Sequence, residues 1–187
     1  LNADDFAVKK ELIFEGQRNL WRSYGRNYRP AEGYATDSGV KVNVIVEVEN
    51  SEKNKLGMPL PKGIVRVYKR DASGQVQMVG EDEIDHTPRE EKIRLYVGDA
   101  FDIVGSRSRT EFRRIGDRVV QETFEIKLRN RKRVDETVRV IERAWSDWQI
   151  LNESMESKKL DSNTFEYVVT LKPDVETVIR YTIQTRW

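Results

Sequence analysis

The stretch Val40-Lys41-Val42-Asn43-Val44-Ile45-Val46-Glu47-Val48 places a valine at every second position. Because side chains alternate between the two faces of a β-strand, one face of this segment is all valine and the other is mostly polar. The same period recurs at residues 93–97, 124–128, 165–171 and 179–183, where β-branched and aromatic residues fill the apolar positions. Strands with one apolar and one polar face predict antiparallel sheets.

Turn-forming residues separate these runs. Asp71-Ala72-Ser73-Gly74 reads as a hairpin loop, and Gly116-Asp117 and Lys172-Pro173-Asp174 divide later runs in the same way. No amphipathic helix longer than two turns is evident. The pattern predicts an all-β fold, namely an antiparallel β-sandwich with an immunoglobulin-like C-terminal half and a smaller packed β-unit before it.

The strand runs also suggest a division of the chain. Residues 99–187 hold the number of strands typical of one immunoglobulin-like sandwich, and residues 40–98 form the smaller unit. Gly98-Asp99-Ala100 is the expected joint, although 40–187 as one continuous domain is the alternative. Residues 1–39 form an N-terminal segment that is partly irregular, with a strand expected near Phe6–Phe14.

Composition excludes several kinds of chemistry. The 187 residues include no cysteine and one histidine, and 33 Lys and Arg against 32 Asp and Glu give a net charge of +1. Disulfides, thiolate zinc sites and multi-histidine metal sites are therefore excluded within one chain, and we expect no cofactor and no metal. No apolar run is long enough to span a membrane, and the first five residues do not resemble a signal peptide.

The single histidine, His86, follows Asp85 in an acidic stretch that ends at Pro88. A carboxylate beside an imidazole suits acid–base catalysis, so a hydrolase that uses Asp85 and His86 is one hypothesis. No serine or threonine nucleophile has a recognisable context, and adjacent strand residues point to opposite faces. The favoured interpretation is a hydrogen-bonded loop that Pro88 stiffens, with no catalytic residue.

Basic residues concentrate between positions 107 and 133, where ten basic and four acidic residues give a net charge of +6. Such a hairpin could bind phosphate or an anionic glycan. Charges that discourage edge-to-edge aggregation are the alternative. Nucleic acid is not expected as a ligand, because aromatic residues are sparse here. The predicted binding residues are Arg107, Arg109, Arg129, Arg131, Lys132 and Arg133.

Two tryptophans, Trp145 and Trp148, flank Ser146-Asp147. Paired tryptophans can stack on sugar rings, but they also fill sandwich cores. Trp148 begins an apolar run and is expected in the core, whereas Trp145 fits an exposed loop.

Three segments carry a family resemblance. They are residues 50–71, with Leu56-Gly57-Met58-Pro59-Leu60-Pro61-Lys62-Gly63 at their centre; Gly80-Glu81-Asp82-Glu83-Ile84-Asp85-His86-Thr87-Pro88; and Gly98-Asp99-Ala100-Phe101-Asp102-Ile103, followed by Phe112-Arg113-Arg114 and Leu128-Arg129-Asn130. In this order they resemble the conserved C-terminal domain of the bacterial mucoidy-inhibitor-A-like proteins, over about residues 40–187. One departure is Arg143-Ala144-Trp145-Ser146 before Asp147-Trp148, where the family has a turn rich in proline and glycine.

The resemblance implies a domain of unknown function, from longer proteins with an N-terminal coiled-coil-bearing region. It also implies the cell envelope or periplasm as the compartment, and an excised C-terminal portion for this chain. No catalytic residues can be carried over from the family. The family-motif residues, which are expected to be structural, are Pro59, Pro61, Asp85, His86, Thr87, Pro88 and Trp148.

Together these observations predict a non-enzymatic β-sandwich module for binding or assembly. Its partners are expected to be proteins that meet strand edges, or an anionic glycan.

Overall fold

The computed structural model describes residues 8–17, 38–71 and 73–187, and this part of the chain is all-β, as the alternation predicts. It contains one short 3-10 helix, Glu52–Asn54, and eleven strands. In chain order the strands are β1 (Lys9–Phe14), β2 (Ser38–Glu49), β3 (Gly63–Arg70), β4 (Val76–Ile84), β5 (Lys92–Gly116), β6 (Val119–Asn130), β7 (Glu136–Arg143), β8 (Asp147–Glu153), β9 (Lys158–Lys159), β10 (Thr164–Leu171) and β11 (Glu176–Arg186).

Nine strands form one sheet in the order β8-β11-β6-β5-β2-β1-β7-β10-β9, and β3 pairs with β4 in a separate two-stranded sheet. The pairs β5 with β6, β6 with β11, β11 with β8 and β7 with β10 are antiparallel. The valine segment lies in β2, where Val42 and Val48 are buried. Asn43, on the opposite face, is buried as well, so β2 is covered on both faces there.

The described residues divide into two compact units. Unit 1 comprises residues 8–12 and 43–99, and unit 2 comprises residues 13–17, 38–42 and 100–187. The chain passes from unit 1 to unit 2 after Asp99, inside strand β5 and without a loop. Most of the predicted N-terminal segment, residues 1–7 and 18–37, lies outside the described residues, whereas β1 falls within the strand expected at Phe6–Phe14.

Unit 1 has a small apolar core below the β3–β4 hairpin. Ile84, Ile93 and Leu95 are buried there, and Val65 and Val67 of β3 pack against them. The hairpin approaches β5 so closely that a Cβ atom at Gly80 would lie 2.3 Å from the carbonyl oxygen of Val97. Only glycine allows this contact between backbones.

Unit 2 is sandwich-like, because two groups of strands in its sheet face each other across a core. Phe165 on β10 places its ring 5.4 Å from that of Tyr181 on β11 and 5.3 Å from that of Trp148 on β8. Gly105 of β5 leaves room for Phe14 of β1, whose ring atoms would lie 2.2 Å from an added Cβ. The opposed faces bury the aromatic residues that the alternation placed on one side of each strand.

Candidate functional site

His86 lies on an exposed segment just after β4. Its Nδ1 accepts a hydrogen bond from the backbone N–H of Lys62 at 3.3 Å. The Asp85 carboxylate accepts the backbone N–H of His86 at 2.8 Å, and the Thr87 hydroxyl donates to the carbonyl of Asp85 at 2.9 Å. The carboxylate and the imidazole are thus both bonded to backbone N–H groups and hold the shape of the loop.

Asn50 is fully buried and joins two of the segments that carry the family resemblance. Its side-chain Nδ2 donates to the carbonyls of Met58 and Pro88, both at 2.8 Å, and its Oδ1 accepts the N–H of Gly57 at 3.1 Å. Its own backbone N–H and carbonyl bond to Glu91 and Glu90. One amide side chain therefore fixes two loops that are about thirty residues apart in sequence.

The remaining motif residues lie beside this joint. Leu60 and Thr87 form an isolated antiparallel bridge, with both backbone bonds at 2.9 Å. Pro59, Pro61 and Pro88 occupy exposed positions on either side of the bridge. Prolines suit this place, because they stiffen the chain without a need for ladder donors.

A second buried asparagine, Asn130, plays the same part in unit 2. Its Nδ2 donates to the carbonyls of Val134 and Leu171, at 2.8 and 3.0 Å, and its Oδ1 accepts the N–H of Lys132 at 2.9 Å. Asn50 and Asn130 both lie within the quoted motif segments, so those segments mark loop-fixing positions.

Two of the predicted anion-binding residues do not lie on the surface. Arg107 is 2% exposed, and the side chain of Arg109 is also buried, with an ion pair to Glu122 at 2.8 Å. The expectation that Arg107 is available to a surface ligand is therefore wrong. The cause is the alternation of side chains along β5. Arg107 lies on the same face of this strand as Ile103 and Gly105, and all three positions are buried.

The other predicted residues are more exposed, but most of them are paired. Arg129 contacts Glu176 at 2.6 Å, Arg131 contacts Asp174 at 3.1 Å and Lys132 contacts Glu136 at 2.5 Å. These three acids lie outside the 107–133 window, so they lower its effective charge. Arg133 is exposed and makes no ion pair within the described residues. The six residues therefore do not form one continuous basic patch.

Arg107 instead belongs to a buried polar network in the core of unit 2. Its Nε donates to the carboxylate of Glu142, which is 0% exposed, at 2.9 Å. Its Nη2 donates to the hydroxyl of Tyr181 at 3.0 Å, and that hydroxyl donates to Glu142. The guanidinium also lies 3.8 Å from the centroid of the Phe124 ring. Each charged or polar group in this cluster has a partner, as burial requires.

Burial changes the acidity of these groups. Burial alone would lower the pKa of Arg107, but the charge of Glu142, together with Tyr181 and the hydrogen bonds to both residues, raises that pKa above its usual value. Burial raises the pKa of Tyr181 well above its usual value, and Glu142 adds to this against the opposing charge of Arg107. The network therefore holds a charged guanidinium and a protonated phenol at neutral pH.

The two tryptophans differ from each other in their surroundings. Trp148 is half-buried against Phe165, and its indole N–H donates to the carbonyl of Ser162 at 2.7 Å. Trp145 is half-buried as well, and its ring centroid lies 5.3 Å from that of Trp187. The expectation of an exposed Trp145 is therefore corrected by its contact with Trp187.

The outer face of the β3–β4 hairpin is exposed and carries apolar side chains beside two ion pairs. Ile64 is 64% exposed and Tyr68 is 55% exposed on β3, and Val76 and Met78 of β4 are exposed beside them. Tyr68 lies opposite Met78 in the register. Two ion pairs, Arg66 with Glu81 at 3.1 Å and Lys62 with Glu83 at 3.3 Å, cross the same hairpin.

Comparisons with known proteins give no relative. No protein-family model matches the chain, and neither the curated proteins nor the solved structures contain a match. Across the described residues, no helix has the length and hydrophobicity needed to cross a membrane. The same residues contain no group of three or more His, Cys, Asp or Glu side chains placed to hold a metal ion.

Proposed function

We propose that this chain is a non-enzymatic β-sandwich module that binds an extended segment of a partner protein along strand β3. The observation that carries the proposal is the unpaired edge of this strand. β3 pairs with β4 on one side only, and its residues make no backbone hydrogen bond beyond that hairpin within the described part of the chain. An unpaired edge presents N–H and carbonyl groups that an added strand can bond.

The β4 edge suits this role less well. The Asp82 carboxylate accepts the backbone N–H of Tyr96 at 2.8 Å, and Gly80 lies against Val97. Residues of strand β5 therefore already contact β4. A two-stranded hairpin has little stability of its own, so a third strand added on the β3 side would also stabilise it.

The side chains of β3 indicate the chemistry of the bound segment. Ile64 and Tyr68 offer apolar contact area on the outer face, and an aromatic ring is typical of protein interfaces. The strand carries Lys69 and Arg70, which form no ion pair within the described residues, and Arg66, which pairs with Glu81, and it has no acidic residue. We therefore expect a segment that alternates apolar with polar or acidic residues, because its backbone would lie beside this basic edge.

We propose no enzymatic activity because of how Asp85 and His86 are bonded in their loop. Asp85 and His86 are each bonded to the backbone, in a loop that Asn50 holds in place. The family resemblance supports a position within a longer envelope-associated bacterial protein. A hydrolase screen of the purified protein tests this part, and activity that falls on His86→Ala would overturn it.

Selection from a displayed library of random twelve-residue peptides tests the binding proposal. Peptides enriched on the immobilised protein should alternate apolar with polar or acidic residues. A synthetic copy of an enriched peptide is then titrated by calorimetry against three proteins: wild type, the double variant Ile64→Ser/Tyr68→Ser, and Val168→Ser. Val168 is an equally exposed apolar residue on β10, so its variant is the matched control.

We expect the double variant to bind about tenfold or more weakly, since it removes two apolar contacts, and the control to bind as wild type does. Failure to enrich any sequence would refute the proposal. Equal affinity for wild type and the double variant would refute it as well.

A further inference from the structure

We propose that unit 2 carries a separate binding site for carboxylate-bearing saccharides at the end where β5 turns into β6. Four residues form this site, which we call the aromatic–arginine surface: Arg114, Arg118, Trp145 and Trp187. This site uses other residues and another ligand than the β3 edge, so each proposal can be tested independently of the other.

Backbone and ring contacts bring the four residues to one end of unit 2. Trp145 and Trp187 place their ring centroids 5.3 Å apart at an interplanar angle of 42°. The backbone N–H of Trp187 donates to the carbonyl of Arg118 at 3.1 Å. Arg114 lies opposite Val120, which in turn lies opposite Thr185, two residues before Trp187. The turn of the β5–β6 hairpin therefore lies beside the tryptophan pair.

The loop that carries Trp145 is held in position. Ser146 has a left-handed backbone with φ of 58°, and its hydroxyl donates to the carbonyl of Arg186 at 2.7 Å. Both rings are half-buried, so part of each indole remains accessible. A ring pair fixed in this way loses little conformational freedom when a ligand binds.

The two guanidiniums are available for an anion. Of the ten basic residues at positions 107–133, seven form ion pairs, whereas Arg114, Arg118 and Arg133 form none within the described residues. Arg114 is exposed near the end of β5, and Arg118 is exposed in the hairpin turn itself. Asp117 and Asp147 also lie at this end, but neither forms an ion pair. Arg133 lies beyond the opposite end of β6.

This combination favours an acidic saccharide over a phosphate polymer. Indole rings are flat apolar surfaces with a polar edge, and such rings can stack on the faces of pyranose units. Planar guanidiniums bind carboxylates through two parallel hydrogen bonds. A phosphate polymer would need a longer basic track than two arginines supply, since its affinity rises with the number of phosphate contacts.

Titration of the full chain with oligogalacturonate, followed by tryptophan fluorescence, tests the proposal. Neutral cello-oligosaccharide and inorganic polyphosphate of similar length are titrated in parallel. The variants are Arg114→Gln/Arg118→Gln and Trp187→Ala, and Arg133→Gln is the matched control because it removes an unpaired arginine at the opposite end. Circular dichroism confirms that each variant is folded.

Oligogalacturonate should bind, and the affinity should fall about tenfold in each site variant, stay unchanged in Arg133→Gln and weaken as salt is raised. The neutral saccharide should bind more weakly. Absent binding, equal loss in Arg133→Gln, or polyphosphate binding as tight as that of oligogalacturonate would overturn the assignment.

Discussion

Replacement of Glu142 by glutamine tests the buried network most sharply. The substitution keeps the shape of the side chain but removes the negative charge that faces Arg107, at a place where both side chains are 1% exposed or less. Breaking a buried pair by removing one charge costs about 3–5 kcal/mol, because the other charge stays buried and uncompensated. The Nε of Arg107 donates to both carboxylate oxygens of Glu142, so we expect a cost within this range.

Guanidinium unfolding of the full chain, followed by tryptophan fluorescence, measures this cost. Asp174→Asn is the matched control, because it breaks an ion pair with Arg131 in which both side chains are more than half exposed. The control should lose less than about 1 kcal/mol.

A triple variant isolates the role of the buried charge. Arg107→Met, Glu142→Leu and Tyr181→Phe together replace every member of the network by an apolar side chain. Such replacements are often neutral, so the triple variant should lie within about 2 kcal/mol of wild type. A loss below about 1 kcal/mol for Glu142→Gln alone would refute the reasoning.

Three other predictions follow from the contacts described above. The free energy of unfolding should fall as pH rises above about 10, because unfolded tyrosines then lose their protons while Tyr181, whose pKa is raised by burial, keeps its own in the folded state. Burial raises the pKa of Tyr167 as well, so Tyr181→Phe should reduce this pH dependence without abolishing it when unfolding is measured across the range. Asn50→Ala should lower the free energy of unfolding by about 2–4 kcal/mol, measured by chemical denaturation, because the Met58 and Pro88 carbonyls and the Gly57 N–H lose their partner. Asn152→Ala, at an exposed position, is the control, and an equal loss in both variants would contradict the role of Asn50. Gly80→Ala should cost about 2 kcal/mol or more because its Cβ meets the Val97 carbonyl, and Gly63→Ala, where the space is open, should cost less.

The strands were the most predictable part of the fold. Their alternation depends on burial of one face, which is a local property of the sequence, and β2, β6, β10 and β11 contain the predicted runs. The length of β5 was not predictable in this way. Gly98-Asp99-Ala100 lies at the boundary between the two units, but strand β5 continues through it, and Gly98 has a φ of 137°, a conformation that favours glycine.

The charged residues were the least predictable. Arg107 looked like a surface residue because its partner Glu142 lies 35 positions away in sequence. The one local indication that Arg107 points inward was its position on the same face of β5 as Ile103. The structural role of Asn50 and Asn130 was also missed, although both lie in motif segments, because the bonds of a buried amide depend on loops that the alternation does not describe.

Amide hydrogen exchange of the full chain, with and without a peptide selected on it, tests the proposed β3 interface most directly. Backbone amides on the unpaired edge of β3 should exchange rapidly in the free protein, and the bound peptide should slow their exchange across residues 63–70. The amides of β10, around Val168, should not change. Peptide binding with protection elsewhere and none in β3 would contradict the proposal.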